Sequence, residues 1–271
     1  RDFCLSRGLG DVYKRQMYSS EYEREKYVND YIISNCVYDD EAAYNNNTKG
    51  NVSTAYGVLV DGKAICEGYA RAFQLLCNKL GIECVSIAGM TDDVGHEWNC
   101  AKIDGNWYQV DVTWNDSQDD FSNYYYFNLT DEQMYSSHRA DDLFDEIEPD
   151  NYNNDENLIG NLYVPKCNST EYNYYNQTAP ILYAFDEEND NTISNALANS
   201  AVNGDNYFNI IVDDSLDFED AYSTLVQDGY VVNYIESANN MLWGEVELDT
   251  SSYAYKNDTL RVITIVLNYI N

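Results

Sequence analysis

The dipeptide Asp104-Gly105, flanked by two runs rich in apolar and aromatic residues, most constrains how this chain folds. An Asp-Gly pair supplies the positive φ angles of a two-residue hairpin turn. Residues 96–103 and 106–114 are therefore predicted to be paired antiparallel strands. The turn also sets the register. With Ile103 opposite Asn106, His96 faces Thr113 and Trp98 faces Asp111. Alternation puts His96, Trp98 and Cys100 on one face beside Gln109, Asp111 and Thr113. The other face carries Ala101, Ile103, Val110, Val112 and Trp114, a core pattern. His96 and Asp111 become diagonal neighbours, roughly 7–8 Å apart at the backbone and within side-chain reach.

A helix is predicted over residues 66–80. Tyr69, Ala72, Phe73, Leu76 and Leu80 recur at helical spacing, and Gly81 follows as a stop signal. Cys66 stands at the head of this helix, just after a loop containing Asp61-Gly62-Lys63. A thiol there meets the positive end of the macrodipole, which favours thiolate, and lies beside free backbone N–H groups able to hold an oxyanion. The plainer alternative is a small buried hydrophobe. A cysteine nucleophile needs a base, and the base needs a third group to fix its tautomer. Cys66, His96 and Asp111 supply these types in chain order. The competing reading is a structural His–Asp pair and an unrelated thiol.

Composition narrows the function classes. The formal net charge is −32, from 15 basic and 47 acidic residues. Nucleic-acid recognition needs a basic footprint, so this balance argues against it and against an anionic membrane surface. No run approaches the ~20 apolar residues of a bilayer helix, so no membrane insertion is expected. With 44% hydrophobic residues and 27 tyrosines, a packed core is expected. The seven cysteines include no CxxC and there are only two histidines, so a structural zinc site is poorly supported. A Cys77–Cys84 or a Cys84–Cys100 disulfide is compatible with the spacing but not fixed by it. Asp92-Asp93, Asp119-Asp120 and Asp141-Asp142 lack the regular spacing of a calcium loop and read as solvated faces. His138 reads as a surface or packing histidine. No motif requires a metal or organic cofactor, and none sets an oligomeric state.

The runs GKAICEGYARAFQLLCNKLGIECVSIAG and GHEWNCAKIDGNWYQVDVTWND resemble the core of the transglutaminase-like superfamily. In its bacterial branch a C-x-GYA-x-AF-x-LL helix precedes H-x-WN and WY-x-VD-x-TW strands. The likeness covers roughly residues 50–130. It implies an α+β, papain-like fold with the cysteine helix packed on an antiparallel sheet. It further implies Cys66 as nucleophile, His96 as general base and Asp111 as the orienting acid. The family commonly adds an oxyanion donor from the upstream loop, for which Tyr56 is the candidate. Trp98 either walls the substrate site or fills the core. The implied chemistry is attack on an amide of a protein or peptide substrate through a thioester, with hydrolysis favoured over cross-linking. The alternative is a catalytically silent surface or adhesion module on the same scaffold. Family habit and acidity together suggest an extracellular or cell-surface protein of a bacterium.

Along the chain, residues 1–16 carry a net charge of +2 against the acidic remainder and read as a non-native leader that hides any signal segment. Residues 17–150 are the expected catalytic domain, 151–178 a linker or irregular segment, and 179–271 a small α+β accessory domain. Helices are expected over 19–35, 188–200 and 217–227. Further strands are expected over 82–88, 207–212, 230–236, 244–249 and 259–269.

Overall fold

Ser20 starts the first helix of the described chain. Its hydroxyl accepts from the Glu23 amide while the Glu23 carboxylate accepts from the Ser20 amide, a reciprocal cap. This helix, α1 (Glu21–Asn35), turns Val28 and Ile32 inward. The computed structural model describes residues 18–45, 49–117, 122–141, 164–244 and 246–270. The expected leader 1–16 and the part of the expected linker at 151–163 lie outside the described residues. Among the described residues no helix is long and apolar enough to cross a membrane.

The chain divides into two compact units, Arg1–Tyr172 and Asn173–Asn271, so the division falls within the stretch 151–178. In the first unit, β1 (Val37–Tyr38) and the short α2 (Asp40–Tyr44) follow α1. A π-helical turn at Gly57–Asp61 then leads into β2 (Lys63–Ala64), which pairs in parallel with β1. Next comes α3 (Cys66–Lys79), which buries Tyr69, Ala72, Phe73, Leu76 and Cys77, the stripe expected from spacing. Its first turn lies close against the preceding loop. A Cβ on Gly68 would sit 2.6 Å from the Val52 carbonyl oxygen, so only glycine fits.

The sheet of this unit begins with β3 (Cys84–Thr91), β4 (Val94–Ile103) and β5 (Asn106–Val110). After β5 come α4 (Val112–Asn115), α5 (Asp131–Met134) and β6 (Arg139–Ala140). The strand order is β5-β4-β3-β6, antiparallel throughout. The register matches the hairpin expectation, with Ile103 opposite Asn106 and Cys100 opposite Gln109. Asp104 and Gly105 have φ of 46° and 90°, as a primed turn requires. A second such turn at Asp92-Asp93 (φ 46° and 63°) carries β3 to Thr91, beyond the expected end at 88. Two aspartates tolerate the left-handed region but announce it less clearly than Asp-Gly does.

One expectation needs correction here. The second hairpin strand stops at Val110 rather than 114, because Asp111 leaves the ladder and caps α4. Of the two pairings compatible with the spacing neither is present, and Cys36, Cys66, Cys77, Cys84, Cys100 and Cys167 are free thiols. The sulfur beside Cys100 is that of Cys167, 3.9 Å away.

The second unit contains α6 (Tyr174–Thr178), β7 (Ile181–Leu182), α7 (Glu187–Asn203), β8 (Tyr207–Val212) and α8 (Phe218–Tyr222). A π-helical segment at Ser223–Gln227 then precedes α9 (Val231–Leu242), β9 (Ala254–Asn257) and β10 (Val262–Val266). The sheet order is β7-β8-β10-β9, with β7 and β8 parallel and the other pairs antiparallel. The strand expected at 230–236 is the start of α9 instead. Its β-branched run looks extended locally. Val231, Tyr234, Ile235, Ala238 and Leu242 nevertheless bury one helical face within this unit's core. The strand expected at 244–249 reduces, among the described residues, to a single bridge between Leu248 and Tyr269. The expected strand 259–269 shrinks to β10, and β9 has no counterpart in the sequence reading.

Candidate active site

Cys66 begins α3 after Ile65, whose extended backbone (φ −101°, ψ 176°) makes no side-chain cap. Helical hydrogen bonding starts only at Gly68 and Tyr69, whose amides donate to the Ile65 carbonyl. The amides of the first turn therefore look outward, as at any helix start. The thiol is half-buried and lies against two side chains, the His96 ring and the Tyr38 hydroxyl. Tyr38 also meets the Cys66 amide; burial and the neighbouring thiol charge push its hydroxyl up to about 12. Sequence reasoning missed Tyr38. It sits 28 residues before Cys66 in a strand of two residues, among many tyrosines. Tyr56, the upstream candidate, heads the π-helical turn and is 51% exposed.

His96 projects from β4 opposite Gly89 of β3. Its ring stacks on Trp98 at 6.2 Å and 19°. Trp98 is fully buried. It forms the floor under the imidazole. Its indole N–H donates to Gln109 Oε1 (2.8 Å), and Gln109 Nε2 donates to Asp131 Oδ1 (2.9 Å). Gly89 makes room for that floor, because a Cβ there would meet the Trp98 ring at 2.6 Å.

Asp111 is completely buried and each carboxylate oxygen has its own task. Oδ1 accepts from the amides of Thr113 (2.9 Å) and Trp114 (3.2 Å), which starts α4. Oδ2 lies 2.6 Å from His96 Nε2. The diagonal closeness expected from the hairpin is present, although Asp111 reaches it from a helix cap rather than from a strand. Burial opposes charge on both groups. The Asp111 charge and hydrogen bond nonetheless raise His96 to about 10. The His96 charge and the bonds from both histidines hold Asp111 well below the carboxylate range.

The second imidazole at Asp111 is His138, which sequence reasoning left as a surface or packing residue. It is buried, and its Nε2 lies 3.0 Å from the same Oδ2. The turn after α5 delivers it, the His138 amide donating to the Met134 carbonyl just before β6 begins at Arg139. The ring packs against Trp98 (5.1 Å, 70°) and Trp114 (4.6 Å). No local pattern ties residue 138 to residue 111.

Two histidines and a carboxylate together are also a metal-ligand set. The spacing here belongs to hydrogen bonds instead. Two ligands about 2.0–2.1 Å from a tetrahedral ion stand about 3.3 Å apart. The His96–Asp111 contact of 2.6 Å is too short for that.

Residues 12–112 match the family described as the transglutaminase-like superfamily. The chain is similar to kyphoscoliosis peptidase of Mus musculus, 29% identical over 146 residues, covering 49% of this chain and 22% of that protein. The Homo sapiens kyphoscoliosis peptidase is 27% identical over 146 residues, with the same coverage. The chain thus spans less than a quarter of the length of these curated relatives. Among solved structures, a crystal structure of a TGase is similar at a TM-score of 0.36 and 22% identity, covering 44% of this chain and 32% of that one. The match to the transglutaminase-like superfamily falls within the first unit of this α+β chain.

Proposed function

We propose that the chain is a thiol enzyme acting on amide bonds of protein or peptide substrates, with Cys66 as nucleophile, His96 as its base and Asp111 as the orienting acid. The observation that carries this reading is the His96 ring between two partners. Asp111 Oδ2 lies 2.6 Å from Nε2, and the Cys66 thiol lies against the same ring. A carboxylate only accepts, so Nε2 donates to Asp111; raised to about 10, the ring is imidazolium at neutral pH, with Nδ1 holding the proton it takes from the thiol. The sulfur attacks the amide carbonyl, the C–N bond breaks, and His96 returns the proton to the departing amine. The thioester is then cleaved by water or by a second amine.

The Cys66 backbone N–H is the first donor to the oxyanion, at the positive end of α3. Tyr38, protonated at neutral pH, is better placed than Tyr56 to assist. Hydrolysis is favoured over cross-linking. The similar proteins named as peptidases support that preference. An extracellular or surface setting suits an enzyme of this acidity.

The test is alkylation of Cys66 by iodoacetamide at neutral pH, read by peptide mass spectrometry, alongside turnover of a peptide-substrate panel. Cys66 is expected to react at least tenfold faster than an ordinary thiol, and Cys66→Ala to abolish turnover. Ordinary thiol reactivity, with activity unchanged in Cys66→Ala, would leave the silent binding module as the better reading.

A further inference from the structure

This protein has only two histidines in 271 residues, and both converge on one carboxylate oxygen. We infer that His138 is a positioning residue for the Cys66–His96–Asp111 chemistry. Donating through Nε2 to Asp111 Oδ2, it fixes the carboxylate that aligns His96. The inference rests on the proposed function and extends it one residue outward.

Three observations carry it. First, the tautomer is determined by the neighbours. Asp111 can only accept, so His138 Nε2 must hold a proton. The other ring nitrogen, Nδ1, lies 2.9 Å from the Ser137 hydroxyl, which can donate to it. The polar atoms thus form a chain, from Ser137 through His138 and Asp111 to His96. Second, the carboxylate is saturated. Two amides occupy Oδ1 and two imidazoles occupy Oδ2, so each remaining torsion of Asp111 is opposed by a bond. Removing the His138 donor frees Oδ2 to rotate away from His96. Third, the ring is buried among the aromatic rings of Trp98, Trp114 and Tyr126, and its Nε2 points to Asp111 Oδ2 at 3.0 Å. A residue needed only to fill this space would not have to present a donor.

The test separates donor from filler. His138→Leu keeps most of the volume and removes the donor. His138→Gln carries an amide N–H close to the position of Nε2. Cys66 alkylation and peptide turnover are measured for each. His138→Leu is expected to slow both about tenfold, and His138→Gln to recover to within about threefold of the parent. That fall is what loss of one hydrogen bond to a charged partner predicts. A folded His138→Leu protein as fast as the parent overturns the inference, and so does a His138→Gln protein as slow as His138→Leu.

Should His138→Leu fail to fold, nitrogen NMR of the parent protein decides. Only two imidazole rings contribute. His138 is expected as the Nε2–H form, its Nε2–H signal shifted downfield by the carboxylate, and an Nδ1–H ring overturns the inference. If the parent Cys66 has ordinary thiol reactivity, the thiol-enzyme reading fails, while the NMR result still reports whether His138 donates to Asp111.

Discussion

The second unit packs residues such as Leu197, Ile210, Tyr234, Ile263 and Ile265, and the polar residues it buries, among the described residues, are the neutral Asn173, Asn189, Ser194 and Thr264. The first unit buries an apolar core too, yet it also buries Glu25, Asn29, Gln109, Asp111, Asn128 and His138. Buried polar groups cost stability unless each finds a partner. In the first unit the partners are found at long range. Asn128 donates to Glu25 (2.8 Å), Asn115 to Asn29 (3.0 Å), and Gln109 holds Trp98 and Asp131 together. Such bonds fix side-chain orientation, which nondirectional apolar packing does only loosely. The difference lies in charge: the first unit buries carboxylates and imidazoles whose partners fix their orientation, whereas the second, among the described residues, buries only neutral polar side chains.

The sharpest way to break this comparison is Asp111→Asn. An amide cannot orient His96 as a carboxylate does, so turnover and Cys66 alkylation are expected to fall about 10³-fold or more. A fall under tenfold would mean that the polar interior around Asp111 is not there for chemistry. The same pair sets a pH limit. Because His96 is raised to about 10, its proton survives into the alkaline range, and activity should decline only as pH passes about 10, when the amine loses its donor. The stability from this raised group is fully present below its ordinary 6.5 and lost as pH climbs through about 10. Asp111, held low, contributes stability that disappears as acid protonates it below the carboxylate range.

A smaller effect tests the other side. Leu197→Ala in α7 removes a fully buried side chain and should cost the second unit about 2–5 kcal/mol in urea unfolding. The Cys66 alkylation rate should stay at the parent value. A changed rate would show that the second unit's packing also serves the site.

The smallest effect sharpens the comparison within the first unit. Glu25 is fully buried, and burial raises it to about 8, with only the Asn128 bond opposing. A raised carboxyl favours the folded state below its unfolded value near 4.5 and loses that advantage as pH rises through about 8. Glu25→Gln should therefore change stability little at pH 5 and raise it at pH 9. Urea midpoints at the two pH values check this. Equal midpoint shifts at both would mean that Glu25 is not buried as a neutral group.

Much of the candidate site was legible before the fold was known. Asp104-Gly105 determined the hairpin register, and with it the common face of His96, Trp98 and Gln109. The spacing from Tyr69 to Leu80 determined α3 and placed Cys66 at its head. These are short-range signals, set by turn dihedrals and by the period of one element. The same locality explains the misreading of α9, where a β-branched run of a few residues outweighed a helical face twelve residues long.

By itself, then, the sequence determined which elements carry the thiol and the first imidazole, and that the carboxylate lies beside them. Tertiary structure alone decided how Asp111 would present its oxygens, since leaving the strand for the cap of α4 depends on what packs above it. It alone brought Tyr38 to Cys66 and His138 to Asp111, across 28 and 27 positions respectively. No periodicity spans such separations. They close only when a whole unit folds and a buried donor has to find its acceptor.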